Sequence, residues 1–499
     1  MQIKNSVIYI LSTWLILCTC SASEKTPLNS PEASRPNIVL IVSDDHGSTD
    51  LGCYGNPTIK TPNLDQLAEN GVRFTNAFCT SASCSPSRSV ILTGMYSHAT
   101  GAYGLSHATH HFAAYDQVQS LPVLLQQLGG YRTARVGKYH LAPEEVFYFE
   151  EKIPGHSRNG VEMANNARSF ISKKTDQPFF LYFCTTDPHR SGKSKGPDQV
   201  NLFGNEGKPY KGIQTAAFSP DKVLVPPYLP DNSQTRQELA EYYQSVDRLD
   251  QGIGQLVKVL KEEGAWENTI VMYLSDNGIA FPGAKTSLYQ AGIQLPLLVK
   301  NTNNENAGTK VDAYVSWVDI TPTILDAVGL LDSANAQIQG VYEKNAAKWD
   351  NITVPTFQGQ SFKSALLGEQ RYSSKEVYAA HNSHEITMYY PMRAVIEGQY
   401  KLIWNIAHQL PYPQAQDLWS SATWQTALKS TTKQYGVRTM DAYKHRPAFE
   451  LYDLKQDPDE RNNLAELPEM SPTLEKLKGK LKAFQERTND PWIVKWERE

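Results

Sequence analysis

Three uninterrupted apolar runs limit this chain more than any other feature: Asn37–Val42 (NIVLIV), Phe179–Thr185 (FFLYFCT) and Thr269–Leu274 (TIVMYL). None alternates polar with apolar residues, so each reads as a strand buried on both faces, as in the middle of a parallel sheet. Each is followed closely by polar residues: Ser43-Asp44-Asp45-His46-Gly47, Asp187-Pro188-His189 and Ser275-Asp276-Asn277-Gly278. Helical segments lie between them. Thr61 and Pro62 open a helix that closes near Gly71, and Ser120 caps one running to Leu128. From Ser233 to Glu263 apolar residues recur at helical spacing (Leu239, Tyr243, Val246, Ile253, Leu256, Leu260) before Gly264. Leu295–Val299 predicts a further strand, and Thr321 to Gly329 a further helix. This alternation predicts an α/β fold: a large, mostly parallel sheet sandwiched by helices, with ligands collecting beyond the strands' carboxyl ends. Asp44, Asp45, Asp276 and Asn277 are therefore expected to meet although far apart in sequence. Adjacent carboxylates in such a place need water or a cation. Hard oxygen donors suit Ca²⁺, and a plain polar turn is the alternative for Asp44-Asp45 alone.

A second constraint lies at Ser83–Gly94, SCSPSRSVILTG. Pro86 suits a first helical turn, and Val90-Ile91-Leu92 continues into a buried helix. Cys84 then sits at a helix N-terminus, where free N–H groups and the helix dipole favour an anion, and Arg88 adds a cationic fork one turn on. After the 120–128 helix, Gly137-Lys138-Tyr139-His140 places Lys138 and His140 on one face of an extended segment. His107, His110 and His111 lack the carboxylates and spacing of a zinc site, so they read as surface or substrate-rim histidines.

The 499 residues allow one large domain and a smaller one, and the formal net charge of −4 gives no bulk attraction for nucleic acid or another polyanion. An anionic substrate would need a locally basic pocket. The first residues read as a secretory signal over 1–23: Lys4, an apolar run from Val7 to Leu17, then Ser21-Ala22-Ser23. Leu17-Cys18-Thr19-Cys20 leaves a lipid-anchored form open; export, periplasmic or secreted, is expected either way. Beyond Cys18 and Cys20 only Cys53, Cys79, Cys84 and Cys184 remain, too few for a disulfide framework once Cys84 is set aside. Cys184 reads as a core residue.

Past about Gln370 the pattern changes. Met392–Trp404 reads as a hairpin turning at Glu397-Gly398, Glu450–Leu454 as a short strand, and Leu474, Leu477, Leu481 and Phe484 as one face of a terminal helix. The expected layout is a catalytic domain over 35–370 and a smaller antiparallel α+β subdomain over 371–499.

Cys84-Ser85-Pro86-Ser87-Arg88 with Leu92-Thr93-Gly94, and Gly130-Tyr131 with Gly137-Lys138-Tyr139-His140, resemble the two signatures of the formylglycine-dependent sulfatases, in the alkaline-phosphatase-like superfamily. The resemblance is closest to the heparan N-sulfatase (N-sulfoglucosamine sulfohydrolase, or sulfamidase) branch. It is carried there by His110-His111-Phe112, Asp187-Pro188-His189-Arg190, Ser275–Pro282, Ser383–Met388 and Asn489-Asp490-Pro491-Trp492. Two positions depart from that branch: His46 replaces a small residue, and Lys285 stands in place of arginine, so the bidentate fork is lost.

The resemblance implies that Cys84 is oxidised by a maturation enzyme to formylglycine, whose hydrate attacks sulfur beside Ca²⁺ held by Asp44, Asp45, Cys84, Asp276 and Asn277. It implies that Arg88, Lys138 and Lys285 stabilise the transferring group. His189 would protonate the leaving group, aided by Lys138, and His140 would take the proton whose loss expels sulfate. The implied substrate is the N-sulfate of non-reducing-end N-sulfoglucosamine in heparan sulfate or heparin, with a homodimer possible. His384 and Glu385 are candidate sugar contacts, Glu385 having an inter-domain hydrogen bond as its alternative. The competing readings are an O-sulfatase on another sulfated polysaccharide, a phosphatase or phosphodiesterase, and a catalytically silent glycan-binding protein. The second lacks its expected Ser or Thr nucleophile and zinc ligands.

Overall fold

A computed structural model describes residues 35–190, 203–205, 210–302, 305–345, 356–368, 372 and 374–498; the expected signal segment lies outside the described residues, as do positions 370 and 371, where the domain boundary was expected. The first apolar run forms β1 (Asn37–Ser43), which is buried along nearly all its length. Its side chains alternate between two apolar clusters. Ile38, Leu40 and Val42 enter one, Val39 and Ile41 the other, so both faces of the strand are covered.

In chain order the strands of the large sheet are β1, β2 (Val72–Phe78), β3 (Arg132–Gly137), β4 (Glu151–Ile153), β5 (Phe179–Cys184), β6 (Thr269–Ser275), β7 (Leu297–Lys300) and β8 (Thr309–Ser316). They lie in the order β4-β3-β5-β1-β6-β7-β2-β8. All neighbours run parallel except β7, which is antiparallel to both β6 and β2. Register matters most for function. Val42 lies opposite both Cys184 and Leu274, Ser43 opposite Ser275, and Gly137 opposite Cys184. Strands β3, β5, β1 and β6 therefore end at one level, and whatever follows them emerges along one edge.

The predicted helices form as Pro62–Glu69, Leu121–Gly129, Ser233–Glu262 and Ile320–Ala327. Thr61 and Ser120 hold the cap positions without capping through their side chains: Thr61 Oγ1 donates to Asp65 Oδ1 (3.0 Å) and Ser120 Oγ to the Val146 carbonyl (2.6 Å). Strands β2 and β8 and the helix Gly160–Ile171 were not foreseen. β2 and β8 lie at one side of the sheet with several half-buried or exposed positions, so they lack the unbroken apolar run that marks a central strand.

The remaining strands are β9 (Glu376–Ser383), β10 (Tyr389–Glu397), β11 (Tyr400–Asn405), a ribbon of β12 (Gln434–Tyr435) and β13 (Arg438–Thr439), and β14 (Phe449–Asp453). β14-β11-β10-β9 form an antiparallel sheet in which Glu397 pairs with Tyr400. The turn between them needs the left-handed conformation, which Gly398 supplies at φ 57°. The terminal helix Ser471–Arg487 buries Leu477, Leu481 and Phe484, as its spacing predicted.

One buried network joins the long helix to the C-terminal segments. The Glu238 carboxylate accepts from Arg190 (2.6 and 3.2 Å), from the backbone N–H groups of Ala422 (3.1 Å) and Thr423 (3.0 Å), and from Thr423 Oγ1 (2.6 Å). Arg190 also donates to the Ala280 carbonyl at 2.6 Å and lies over the Phe203 and Phe281 rings. Glu238→Ala would strand the Arg190 guanidinium and two N–H groups away from water. We expect a loss of about 3–5 kcal/mol, read as a lower urea midpoint at an unchanged slope.

Candidate active site

The site is assembled by the level strand ends. Asp44 N–H donates to the Asp187 carbonyl (3.2 Å), tying the exit of β1 to the turn beyond β5, and Asp276 N–H donates to the Ser43 carbonyl (3.1 Å), tying β6 to β1. Asp45 adopts the left-handed conformation at φ 63°, and its N–H meets Asp276 Oδ1 at 3.1 Å. Asn277 Nδ2 donates to Asp45 Oδ1 at 2.6 Å. Asp44, Asp45, Asp276 and Asn277 are all fully buried and together, as the strand pattern predicted. His46 belongs to the turn itself: its N–H donates to Ser275 Oγ (2.8 Å), and its ring lies between the Tyr273 hydroxyl and the Asp50 carbonyl. Burial pushes its pKa down to about 4, so it is a neutral strut.

Cys84 opens the helix Cys84–Thr93, which is buried throughout. Its Sγ lies 3.5 Å from Asp44 Oδ1. Burial raises the thiol pKa far above its ordinary value, so an unmodified Cys84 carries no thiolate. Arg88 Nε and Nη2 each lie 2.8 Å from Asp276 Oδ2, while its Nη1 donates to the Lys138 carbonyl at 3.1 Å. The Lys138 ammonium bonds Asp44, and Lys285 Nζ bonds Asp45 Oδ2 (2.9 Å) and Asp417 Oδ2 (3.0 Å). Each of the three strand-end carboxylates thus has its own cation. Burial alone would raise the Asp44 carboxyl, but Lys138, His189, Arg88 and Lys285 hold it well below its usual value.

Lys138 and His140 reach the site by a different route from the one their spacing suggested. β3 stops at Gly137 (φ 85°), and His140 is left-handed at φ 59°, so no continuous strand presents the pair. His140 Nε2 bonds His107 Nδ1, and its own Nδ1 is buried without a partner among the described residues. His189 stands on a turn braced by Asp187, whose oxygens accept from Arg158 (2.7 Å) and Arg248 (2.6 and 2.8 Å). Its Nε2 lies 3.7 Å from Asp45 Oδ2 and 3.8 Å from Asp417 Oδ2. Burial, followed by repulsion from Lys285, lowers His189 to about 3, so the substrate-free imidazole is neutral.

These groups border a cavity of about 400 Å³ whose walls include Cys84, His107, His110, His140, His189, Lys285, His384, Glu385, Gln416 and Asp417. His107 and His110 are rim residues, as expected; His111 is not among the lining side chains. His384 Nδ1 pairs with Ser83 Oγ at 2.8 Å, beside the Cys84 helix. Glu385 borders the cavity and also accepts the Gln416 N–H at 2.8 Å, the inter-element bond weighed against a sugar contact. Asp417, on the short helix Gln416–Trp419, was missed. It follows no apolar run and belongs to no motif; only its contacts with Lys285 and His189 reveal it.

Ligand atoms of Asp44, Asp45, Cys84 and His189 all lie within 4.8 Å of one another. Beside them, Asn277 Oδ1 is buried without a hydrogen-bond partner among the described residues, and Asp276 touches the Asp45 N–H. The oxygens among these donors, from Asp44, Asp45, Asp276 and Asn277, fit a hard divalent cation. The charge balance supports it. With all four ionised, Asp44, Asp45, Asp276 and Asp417 outnumber Lys138, Lys285 and Arg88 by one negative charge, which would repel an oxyanion; a divalent ion would reverse the sign. We expect Ca²⁺ at a hundredfold excess over its Kd to stabilise the protein by about 2.7 kcal/mol. Thermal unfolding should show the rise, and Asp45→Asn should abolish most of it.

Comparison with known proteins agrees with the geometry. The family model described as Sulfatase matches residues 36–330. Human N-sulphoglucosamine sulphohydrolase is 36% identical over 477 residues, covering 92% of each chain. The N-acetylglucosamine-6-O-sulfatase of Bacteroides thetaiotaomicron is 26% identical over 592 residues, covering 98% of this chain and 93% of that one. A solved protein in complex with its substrate, D-glucosamine-2-N,6-O-disulfate, shares the fold with a TM-score of 0.62 at 21% identity, covering 91% of this chain and 98% of its own. That likeness extends to the mixed, mostly parallel sheet and its smaller antiparallel partner, the fold the two chains share. With a family match across more than half the chain and a relative aligned over nearly all of it, this protein belongs to the sulfatase family, hydrolases of sulfate esters and sulfamates.

Proposed function

We propose that this enzyme removes the N-sulfate from N-sulfoglucosamine at the non-reducing end of heparan sulfate or heparin fragments. The observation that carries the reading is the 36% identity to N-sulphoglucosamine sulphohydrolase over 92% of each chain. The cavity supports a small substrate, because about 400 Å³ with His384 and Glu385 among its lining residues suits a single sugar unit.

In this reading Cys84, oxidised to formylglycine and hydrated, supplies the attacking oxygen. Asp44, Asp45, Asp276, Asn277 and the modified Cys84 would hold Ca²⁺, which would supply Lewis acidity toward the transferring group. Lys138 and Lys285, both kept protonated by the carboxylates they face, offset charge on the transferring group, and Arg88 fixes Asp276. His189 delivers the proton to the leaving nitrogen. His140, whose buried Nδ1 has no partner among the described residues, serves as the base that expels sulfate. The apolar segment Val7–Leu17 supports export of the mature enzyme; among the described residues no helix is long and apolar enough to cross a membrane.

An O-sulfatase is the second reading, favoured by the full-length match to an N-acetylglucosamine-6-O-sulfatase. Sulfate release decides between them, with Cys84 conversion measured by peptide mass. N-sulfoglucosamine should be hydrolysed and 6-O-sulfated N-acetylglucosamine should not; the reverse result would replace the first reading with the second. His189→Ala should lower turnover of the sugar by about 10²–10⁴-fold and that of 4-nitrophenyl sulfate far less, because nitrophenolate leaves without a proton.

A further inference from the structure

The geometry points to Asp417 as the residue that selects a sulfamate over a sulfate ester, by accepting a hydrogen bond from the N–H that joins the sugar to sulfur; the inference rests on the N-sulfatase reading above. Asp417 borders the cavity that contains Cys84. Its Oδ2 takes Lys285 at 3.0 Å and stands 3.8 Å from His189 Nε2, so it lies between a sulfate-facing cation and the proposed proton donor. A leaving atom served by His189 is therefore within reach of the carboxylate. The side chain keeps 18% of its surface exposed, whereas Asp45 beneath it has none.

Two features of the fold hold Asp417 there. Glu385 accepts the Gln416 N–H at 2.8 Å, fixing the start of the short helix, and Asp417 Oδ1 accepts the Leu418 N–H at 2.9 Å. Further along, the Glu238 network grips Ala422 and Thr423. Lys285 Nζ donates to Asp417 Oδ2 at 3.0 Å, and a carboxylate paired in this way with an ammonium only accepts hydrogen bonds.

The chemistry follows from the bridging atom. In R–NH–SO₃⁻ that atom carries a hydrogen and meets a carboxylate as a donor; in R–O–SO₃⁻ it offers only lone pairs and is repelled. Hydrolysis breaks the S–N bond, water supplies the oxygen, and R–NH–SO₃⁻ with H₂O gives R–NH₃⁺ and SO₄²⁻. The ammonium then faces Asp417 as an ion pair, whereas an alcohol would gain nothing comparable. A site built to receive a donor rejects the analogue that lacks it, because the acceptor is left unpaired.

The test compares two sugars that differ at this atom, N-sulfoglucosamine and glucose 2-sulfate, on the Cys84-converted enzyme and its Asp417→Asn variant. We expect Asp417→Asn to lower kcat/KM for N-sulfoglucosamine by about ten- to a hundredfold, while glucose 2-sulfate competes at least as well as it does against the parent. Competition by the ester also reports that the variant's sulfate pocket is folded. Equal weakening of both sugars would overturn the proposal, since Asp417 would then act only through Lys285 on the common sulfate group. So would no change in either. Failure of the function reading itself is distinguishable: it appears in the parent enzyme, as release from an O-sulfated sugar without release from N-sulfoglucosamine.

Discussion

The whole site depends on placing three carboxylates out of reach of water without leaving any of them uncompensated. Asp44, Asp45 and Asp276 are fully buried at adjoining strand ends, and each faces a separate cation: Lys138, Lys285 and Arg88. Isolated buried carboxylates would take up protons instead. Traces of that tendency remain. Burial pushes Asp45 up to about 6 and Asp276 to about 7, even with their cations present. Oxygen donors held this close suit a cation, whose charge would offset the excess of carboxylates.

The surrounding structure serves that arrangement at increasing distance. The level register of β3, β5, β1 and β6 brings the residues to one edge. Behind it, His46 and Tyr273 secure the turn after β1, while Arg158 and Arg248 grip Asp187 beneath His189. Farther out, Glu238 connects Arg190 to the segment that follows Asp417. Most of these supports are themselves buried charged or polar groups, so substitutions outside the cavity should reach it through lost partners rather than through lost apolar packing.

Much of this was legible in the chain. Unbroken apolar runs identified the central strands, because only a strand covered on both faces needs them, and the polar residues that follow do meet along one edge of the sheet. Cys84, Arg88, Lys138, His140, His189 and Lys285 lie together in the structure, as their motifs suggested. Less legible were β2 and β8, whose partial burial gives no strong periodicity, and the antiparallel insertion of β7. The Lys138–His140 spacing pointed to the right neighbourhood on the wrong grounds: left-handed turns at Gly137 and His140, not an extended strand, bring the pair there.

By itself, the sequence determined the α/β class, the strand ends as the place of chemistry, and the sulfatase motifs, since periodicity and local spacing are written in consecutive residues. The tertiary structure decided which cation serves which carboxylate, that Glu385 holds the Gln416 turn, and that Asp417 joins the cavity from the C-terminal half. Those assignments are contacts between segments far apart in the chain. Their strength comes from burial and charge at a shared point, and no local pattern encodes that point.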